Sequence, residues 1–289
     1  MGVVTTRGTL LRSHPFSETS RILRFFTEDL GIVGVLARGI RSSGSKGRGV
    51  PDTFAGGTLT LYVKESRDLQ TFKEFATTRA RRALGRSVLR FAAASVLGEV
   101  VLRQGGEAAA PGLYDALDGG LDRIADLEDD DALVPVLLAR GWGLVSTLGY
   151  HPVLETCVAC GRTLAHDEMG RFDLGAGGMR CSDCSADTRG PRIGPGARDQ
   201  IAGALAGRED PPTRPRAHLR LLSDFVTYHL CGGRPLESFR FLAGILPAAP
   251  SGRSKGGTAD GAGERAAEDD DAFDDDGVRE GQAAPGGEP

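Results

Sequence analysis

Long apolar runs are missing from this 289-residue chain. No stretch approaches the roughly 18 consecutive apolar residues of a bilayer span, so no membrane segment is expected. The start, Met1-Gly-Val-Val-Thr-Thr-Arg-Gly8, has no basic region leading into an apolar core of about 7–15 residues, so nothing there resembles a secretory signal. Catalytic motifs are absent too. There is no HExxH, no GxSxG, no GxGxxG after a strand, and no pair of carboxylates in an apolar setting. His14, His151, His166, His218 and His229 are scattered among polar neighbours without metal or triad spacing. The chain is therefore expected not to be an enzyme. Acidic clusters at Asp129–Asp131 and Asp269–Asp276 suit a helix start and a solvated tail better than a Mg²⁺ site, which needs carboxylates on rigid elements.

Cysteine is scarce, but its arrangement is informative. Four of the five form two pairs, Cys157-Val-Ala-Cys160 and Cys181-Ser-Asp-Cys184, with twenty residues between them. Two CxxC pairs about 15–20 residues apart are the usual pattern for Zn²⁺ held by four thiolates. With every position filled by protein, such a zinc is structural. Two disulfides would suit a secreted chain, and a redox CxxC would need a single pair at the start of a helix. His166 lies within the excursion but is not needed as a ligand. Cys231 stands alone and is expected to be a buried thiol.

The net charge of −4 conceals an asymmetry. Residues 250–289 carry 11 acidic and 4 basic side chains, a net of −7, which leaves about +3 on the rest. Residues 1–80 hold 12 Lys and Arg against 7 Asp and Glu. A basic first domain suggests a polyanion partner.

Residues 1–78 show five short strands: Thr5–His14, Arg21–Thr27, Gly31–Arg38, Thr58–Lys64 and Leu69–Thr77. Thr58–Lys64 alternates cleanly, with Leu59, Leu61 and Val63 on one face. Five strands in so short a span fit an OB-fold barrel, with an SH3-like barrel as the rival. The third and fourth strands are joined by a Gly-rich basic loop bearing Arg38, Arg41, Lys46 and Arg48. Gly39–Lys46 has the glycine spacing of a Walker loop, but Ser45-Lys46 is followed by Gly-Arg-Gly-Val-Pro51, which cannot open the required helix. ATP binding is therefore rejected.

A helical period follows. Leu84, Val88, Phe91, Ser95 and Leu102 suggest one apolar stripe ending at Gln104, and further helices are expected over 112–127, 131–149, 196–205 and 216–230. The fold class is therefore α+β. A barrel over 1–78 precedes a helical domain over 79–150 and 190–248, with a zinc insert at 151–189. Residues 249–289 have the composition of a disordered acidic tail. Its stretch Glu268–Asp276 brackets Phe273. It suits a solubilising segment first, and second a segment that folds back on the chain's own binding pocket or basic face.

This order of parts resembles the bacterial recombination mediator RecO family. The resemblance is carried by Thr6–Leu23, by Phe26-Thr-Glu-Asp-Leu-Gly31, by Ala37-Arg-Gly-Ile-Arg41 and by Leu148-Gly-Tyr-His-Pro152 leading into Cys157-x-x-Cys160. Gly177-Gly178 before Cys181-x-x-Cys184 and Arg234-Pro-Leu-Glu-Ser238 complete it. The match spans about residues 3–246 and excludes the acidic tail. It implies a cytoplasmic, nucleoid-associated, non-enzymatic DNA repair factor. Such a factor binds single- and double-stranded DNA and anneals strands coated with single-strand-binding protein. It engages that protein's C-terminal tail and, with RecR, promotes RecA loading at gaps. The resemblance places DNA on the barrel, with Arg38 and Arg41 first and Lys46 and Arg48 after them. Tyr62 and Phe72 are the candidate stacking aromatics, while Phe25 and Phe26 are expected in the core. An RNA-binding or transcription accessory protein with a zinc ribbon and an OB barrel is the alternative, and an OB-barrel adaptor with no nucleic-acid role is a third reading.

Overall fold

A computed structural model describes residues 2–40, 50–64, 66–104 and 111–247. The first five strands, β1 (Gly2–Pro15), β2 (Arg21–Thr27), β3 (Gly31–Ala37), β4 (Gly56–Val63) and β5 (Leu69–Arg79), close a barrel in the order β1-β2-β3-β5-β4. β1 is long enough to pair with β4 through Gly2–Thr9 and with β2 through Gly8–Pro15. Among the described residues of the barrel, the only parallel pairing joins β3 to β5, with Gly34 opposite Leu69. That order, with its single parallel contact, gives the OB-like arrangement and not the SH3-like one.

Alternation explains the barrel interior. Leu10, Leu23, Phe25, Val35, Leu59 and Leu61 have no exposed surface and pack together, with the Phe25 and Phe75 rings 5.1 Å apart. A bulge between Leu10 and Arg12 breaks that alternation. Leu10 fills the barrel while Leu11, almost as buried, joins Phe26 and Phe54 in the core of the helical part, so one strand serves two cores. Gly57 lies at a second irregularity, where a Cβ would sit 2.2 Å from the Ala76 carbonyl oxygen; any side chain there would push β4 from β5.

A 3-10 turn (Leu84–Arg86) leads into α1 (Val88–Gln104), followed by α2 (Leu113–Ala125) and α3 (Leu133–Thr147). Then come the short strands β6 (Gly170–Asp173), β7 (Gly178–Arg180) and β8 (Arg192–Ile193), in sheet order β7-β6-β8, and helices α4 (Pro195–Leu205), α5 (Pro215–Leu230) and α6 (Glu237–Ile245). The stripe expected on α1 is corrected. Val88 and Phe91 are 64% and 40% exposed, and the buried side runs through Ala92, Ala93, Val96, Leu97, Val100 and Val101. α1 packs against α2, α3, α5 and α6 and is buried over most of its circumference, so small residues and not a single stripe mark its contacts. α3 turns Leu133, Leu137 and Leu144 to the core, and α5 turns Leu219, Leu222 and Val226 to it. Asp130 does not act as a cap. It accepts from Arg90 Nε at 2.7 Å and from Ser87 Oγ at 3.0 Å, tying the start of α3 to the start of α1.

Polar contacts lock the barrel to the helices. Arg81, its side chain only 2% exposed, pairs with Asp118 (2.5 Å) and Asp122 (2.6 Å) of α2 and donates to the Phe54 carbonyl at 2.8 Å. Thr9 Oγ1 donates to the same Asp118 at 2.9 Å. Arg7 bridges Glu28 and Asp115, and its guanidinium lies 4.9 Å from the Tyr114 ring centre.

Candidate nucleic-acid interface and metal centre

The outward face of β1 and β2 carries the strongest positive feature of the barrel. The β1 bulge brings Arg12 directly opposite Arg24 on the adjacent strand. Arg24 sits between Leu23 and Phe25, both wholly inside the barrel, so its side chain points to solvent, and Arg12 is exposed beside it. Like charges facing each other across a sheet cost stability unless an anion neutralises them. Arg12 feels Glu99 electrostatically, but Arg24 and Arg38 enter no ion pair among the described residues.

Arg38 extends the same surface. Pro15 and Ala37 both pair with Arg21, which places the β1–β2 turn and the exit of β3 at one end of the barrel. Arg38 is exposed there. Arg21 is held across the turn by Ser13, donating to Ser13 Oγ at 2.7 Å. At the tip of the turn stands Phe16, 59% exposed, in a loop closed by donation from Phe16 N to the Ser20 carbonyl at 3.0 Å. An aromatic ring held in water beside arginines is placed to stack a base. The β4–β5 turn adds exposed Lys64 and Arg67, and the Gln70 side chain bonds to the backbone of both. Arg41, Lys46 and Arg48 lie outside the described residues.

Two expectations about aromatics separate here. Phe25 and Phe26 are buried. Phe72 is partly buried against the barrel core, because the irregularity of β5 opposite Thr60 and Leu61 sets it across from the fully buried Leu61. Tyr62 stays half-buried, opposite Val3. Phe16 was missed because one aromatic in a Ser-rich turn has no period; its signal was its position between two strands that pair as a hairpin.

The four cysteines come together. Their Sγ atoms all lie within 4.8 Å of one another, and Cys160 and Cys181 are 3.9 Å apart. Tetrahedral zinc with Zn–S bonds of about 2.3 Å requires sulfurs about 3.8 Å apart. None of the cysteines is in a disulfide. Each pair is folded by its own turn: Gly161 N donates to the Cys157 carbonyl at 2.8 Å, and Cys184 N to the Cys181 carbonyl at 3.1 Å. Gly161 has φ +74°, the left-handed conformation that closes the first turn without a Cβ clash. Glu168 joins the two knuckles, accepting both Arg162 nitrogens (2.9 and 2.7 Å) and the backbone N–H of Ser182 at 3.2 Å.

The sulfurs suit a cation. Burial opposes ionisation of Cys157, but donation from the N–H groups of Cys181, Cys160 and Ala159 outweighs it and lowers the thiol to about 6. Cys184 is pushed up to about 12 by its contacts with Cys181 and Cys160. A divalent ion removes this competition for negative charge. His166 is turned away toward Asp199, 3.6 Å distant. Cys231 is partly buried against the helical core, and burial raises its thiol.

No helix among the described residues is long and apolar enough to cross a membrane. Residues 1–81 match the family model described as recombination protein O N terminal, and residues 86–236 match recombination protein O C terminal. The DNA repair protein RecO of Prosthecochloris aestuarii is 28% identical over 263 residues, covering 85% of this chain and 98% of its own. The RecO of an Anaeromyxobacter species is 29% identical over 264 residues, with 83% and 95% covered, and that of Rubrobacter xylanophilus 29% over 187 residues, with 65% and 73% covered. The two models meet the barrel and most of the helical part, including all four clustered cysteines, and the chain belongs to the RecO family of DNA repair and recombination proteins.

Proposed function

We propose that this chain is a cytoplasmic, nucleoid-associated, non-enzymatic recombination mediator that binds single- and double-stranded DNA on its barrel. It anneals complementary strands coated with single-strand-binding protein, engages that protein's C-terminal tail and, with RecR, promotes RecA loading at gaps. The observation that carries the reading is the facing pair Arg12 and Arg24, continued by Arg38 and capped by the exposed ring of Phe16. Phosphates neutralise the arginines and release counterions, while the ring stacks bases without choosing among them. Annealing needs positioning and charge neutralisation but no covalent step. Cys157, Cys160, Cys181 and Cys184 hold a structural Zn²⁺ that fixes the insert and has no part in the DNA contact.

The test is annealing of complementary oligonucleotides precoated with single-strand-binding protein. Acceleration that falls steeply with salt supports the reading. With about four phosphate contacts on a single strand, affinity should drop about 50-fold between 50 and 200 mM salt. No acceleration at low salt, with tighter binding to RNA, would instead favour the RNA-binding or transcription accessory role.

A further inference from the structure

We propose that the acidic segment Glu268–Asp276 docks in cis, through Phe273 and its flanking carboxylates, into the groove between α5 and α6. The groove encloses about 270 Å³. Leu219, Leu242 and Leu246 form its apolar lining, and Arg216, Arg220 and Arg240 stand around it. This combination of an apolar seat ringed by guanidinium groups selects a particular ligand: an aromatic or aliphatic side chain set among carboxylates. The tail supplies that pattern at one place, where Phe273 is the single aromatic among 11 acidic side chains over residues 250–289. The larger groove beside Arg12 of the barrel, lined by Leu11, Phe54, Phe91 and Phe241, also carries Glu99 and Glu237, whose carboxylates oppose an acidic segment.

The path of the chain favours the same occupant. Leu246 lines the groove, and Arg216 Nη2 donates to its carbonyl at 2.8 Å. The chain therefore leaves α6 from the edge of the groove, and Phe273 lies 26 positions beyond Pro247. A Gly-rich chain of that length has an r.m.s. span of about 28 Å, ample for a return to its own root. Tethering sets an effective concentration in the millimolar range, so even a weak contact would be largely formed. The arginines are accessible to exchange. Arg240 and Glu237 are 3.1 Å apart but 70% and 74% exposed, and Arg220 and Asp224 are 3.9 Å apart and about half exposed. Exposed pairs of this kind are weak and yield to a better-placed carboxylate. Docked in this way, the tail makes the groove available to an acidic peptide of another protein only by displacement. The inference stands apart from the DNA-binding reading, since none of the barrel residues takes part.

The experiment uses full-length protein and a fluorescein-labelled synthetic peptide of residues 264–279, followed by anisotropy. The peptide should bind the full-length variant Phe273→Ala/Asp270→Asn/Asp275→Asn at least 10-fold more tightly than the wild type, whose groove is already filled. Adding Arg216→Glu and Arg240→Glu to that variant should abolish binding. Because Arg216 also holds the end of α6, Ala243→Trp, which fills the groove from an exposed position, serves as the second blocking variant and should give the same loss. Equal peptide affinity for wild type and tail variant, whether tight or undetectable, overturns the proposal. So does binding that survives both groove variants but is lost on Arg24→Glu/Arg38→Glu, which would place the tail on the barrel.

Discussion

Arg24 and Phe16 both face solvent, and the proposed DNA contact rests on that exposure. Arg24→Glu should weaken binding to all DNA sequences alike and lower the slope of log affinity against log salt by about one, as loss of one phosphate contact does. Phe16→Ala should remove the stacking of a base, worth about 1–3 kcal/mol, and so cost roughly 10-fold in single-strand affinity while leaving duplex affinity unchanged. Fluorescence anisotropy with single- and double-stranded oligonucleotides separates the two; equal losses on both substrates would refute the stacking role. Arg81 answers to stability instead. Its replacement by Ala leaves Asp118 buried with fewer partners, and the midpoint of urea unfolding should fall by the equivalent of about 3 kcal/mol, moderated because Arg79 also reaches that carboxylate. Glu209 gives a pH signature. Burial alone would raise it, but Arg123 and Arg140 outweigh burial and hold it below the ordinary 4.5. A depressed carboxyl contributes stability above its unfolded value and loses it as pH falls through the folded value. Glu209→Gln should therefore be less stable than wild type at pH 7, with the gap closing as the pH falls below the ordinary carboxylate range; a gap that stays constant with pH would contradict the pairing.

At the scale of elements, legibility followed period and length. β2, β3 and β4 were readable because alternation over seven or eight residues is a clear signal. α6 was not, since nine residues after Gly232-Gly233 and Pro235 form a marginal helix that exists by packing on α1, where Glu99 accepts from Ser238 N at 2.9 Å. β6, β7 and β8, with four, three and two residues, are too short to show any period. The insert they build is not held by the cysteines alone. Phe172 and Met179 are fully buried, and the Phe172 ring meets Phe225 of α5, which also packs edge-on against Trp142 of α3. Trp142 is the single tryptophan, so its emission reports on this junction. Removing the proposed Zn²⁺ with a strong chelator should lower the thermal midpoint and shift the tryptophan emission, while DNA affinity at low salt stays within twofold. Loss of DNA binding with the emission unchanged would move the nucleic-acid site to the insert.

Across the whole molecule the positive charge of the first 81 residues is divided by tertiary contacts. Arg7, Arg79 and Arg81 are spent on Asp115, Asp118 and Asp122 of α2, whereas Arg12, Arg24 and Arg38 are left to face solvent. No count of charges along the chain distinguishes these two groups, because the distinction depends on which barrel face meets the helices. The cysteine spacing, the strand alternation and the acidic tail were local patterns, and the sequence alone was enough to read the clustered cysteine knuckles, the five-stranded barrel and the charge asymmetry. The β1 bulge that faces Arg12 with Arg24, the burial of α1 among four other helices and the groove between α5 and α6 arise from contacts between residues far apart in the chain. Only the tertiary structure decides those, since they depend on how separate segments exclude water from one another.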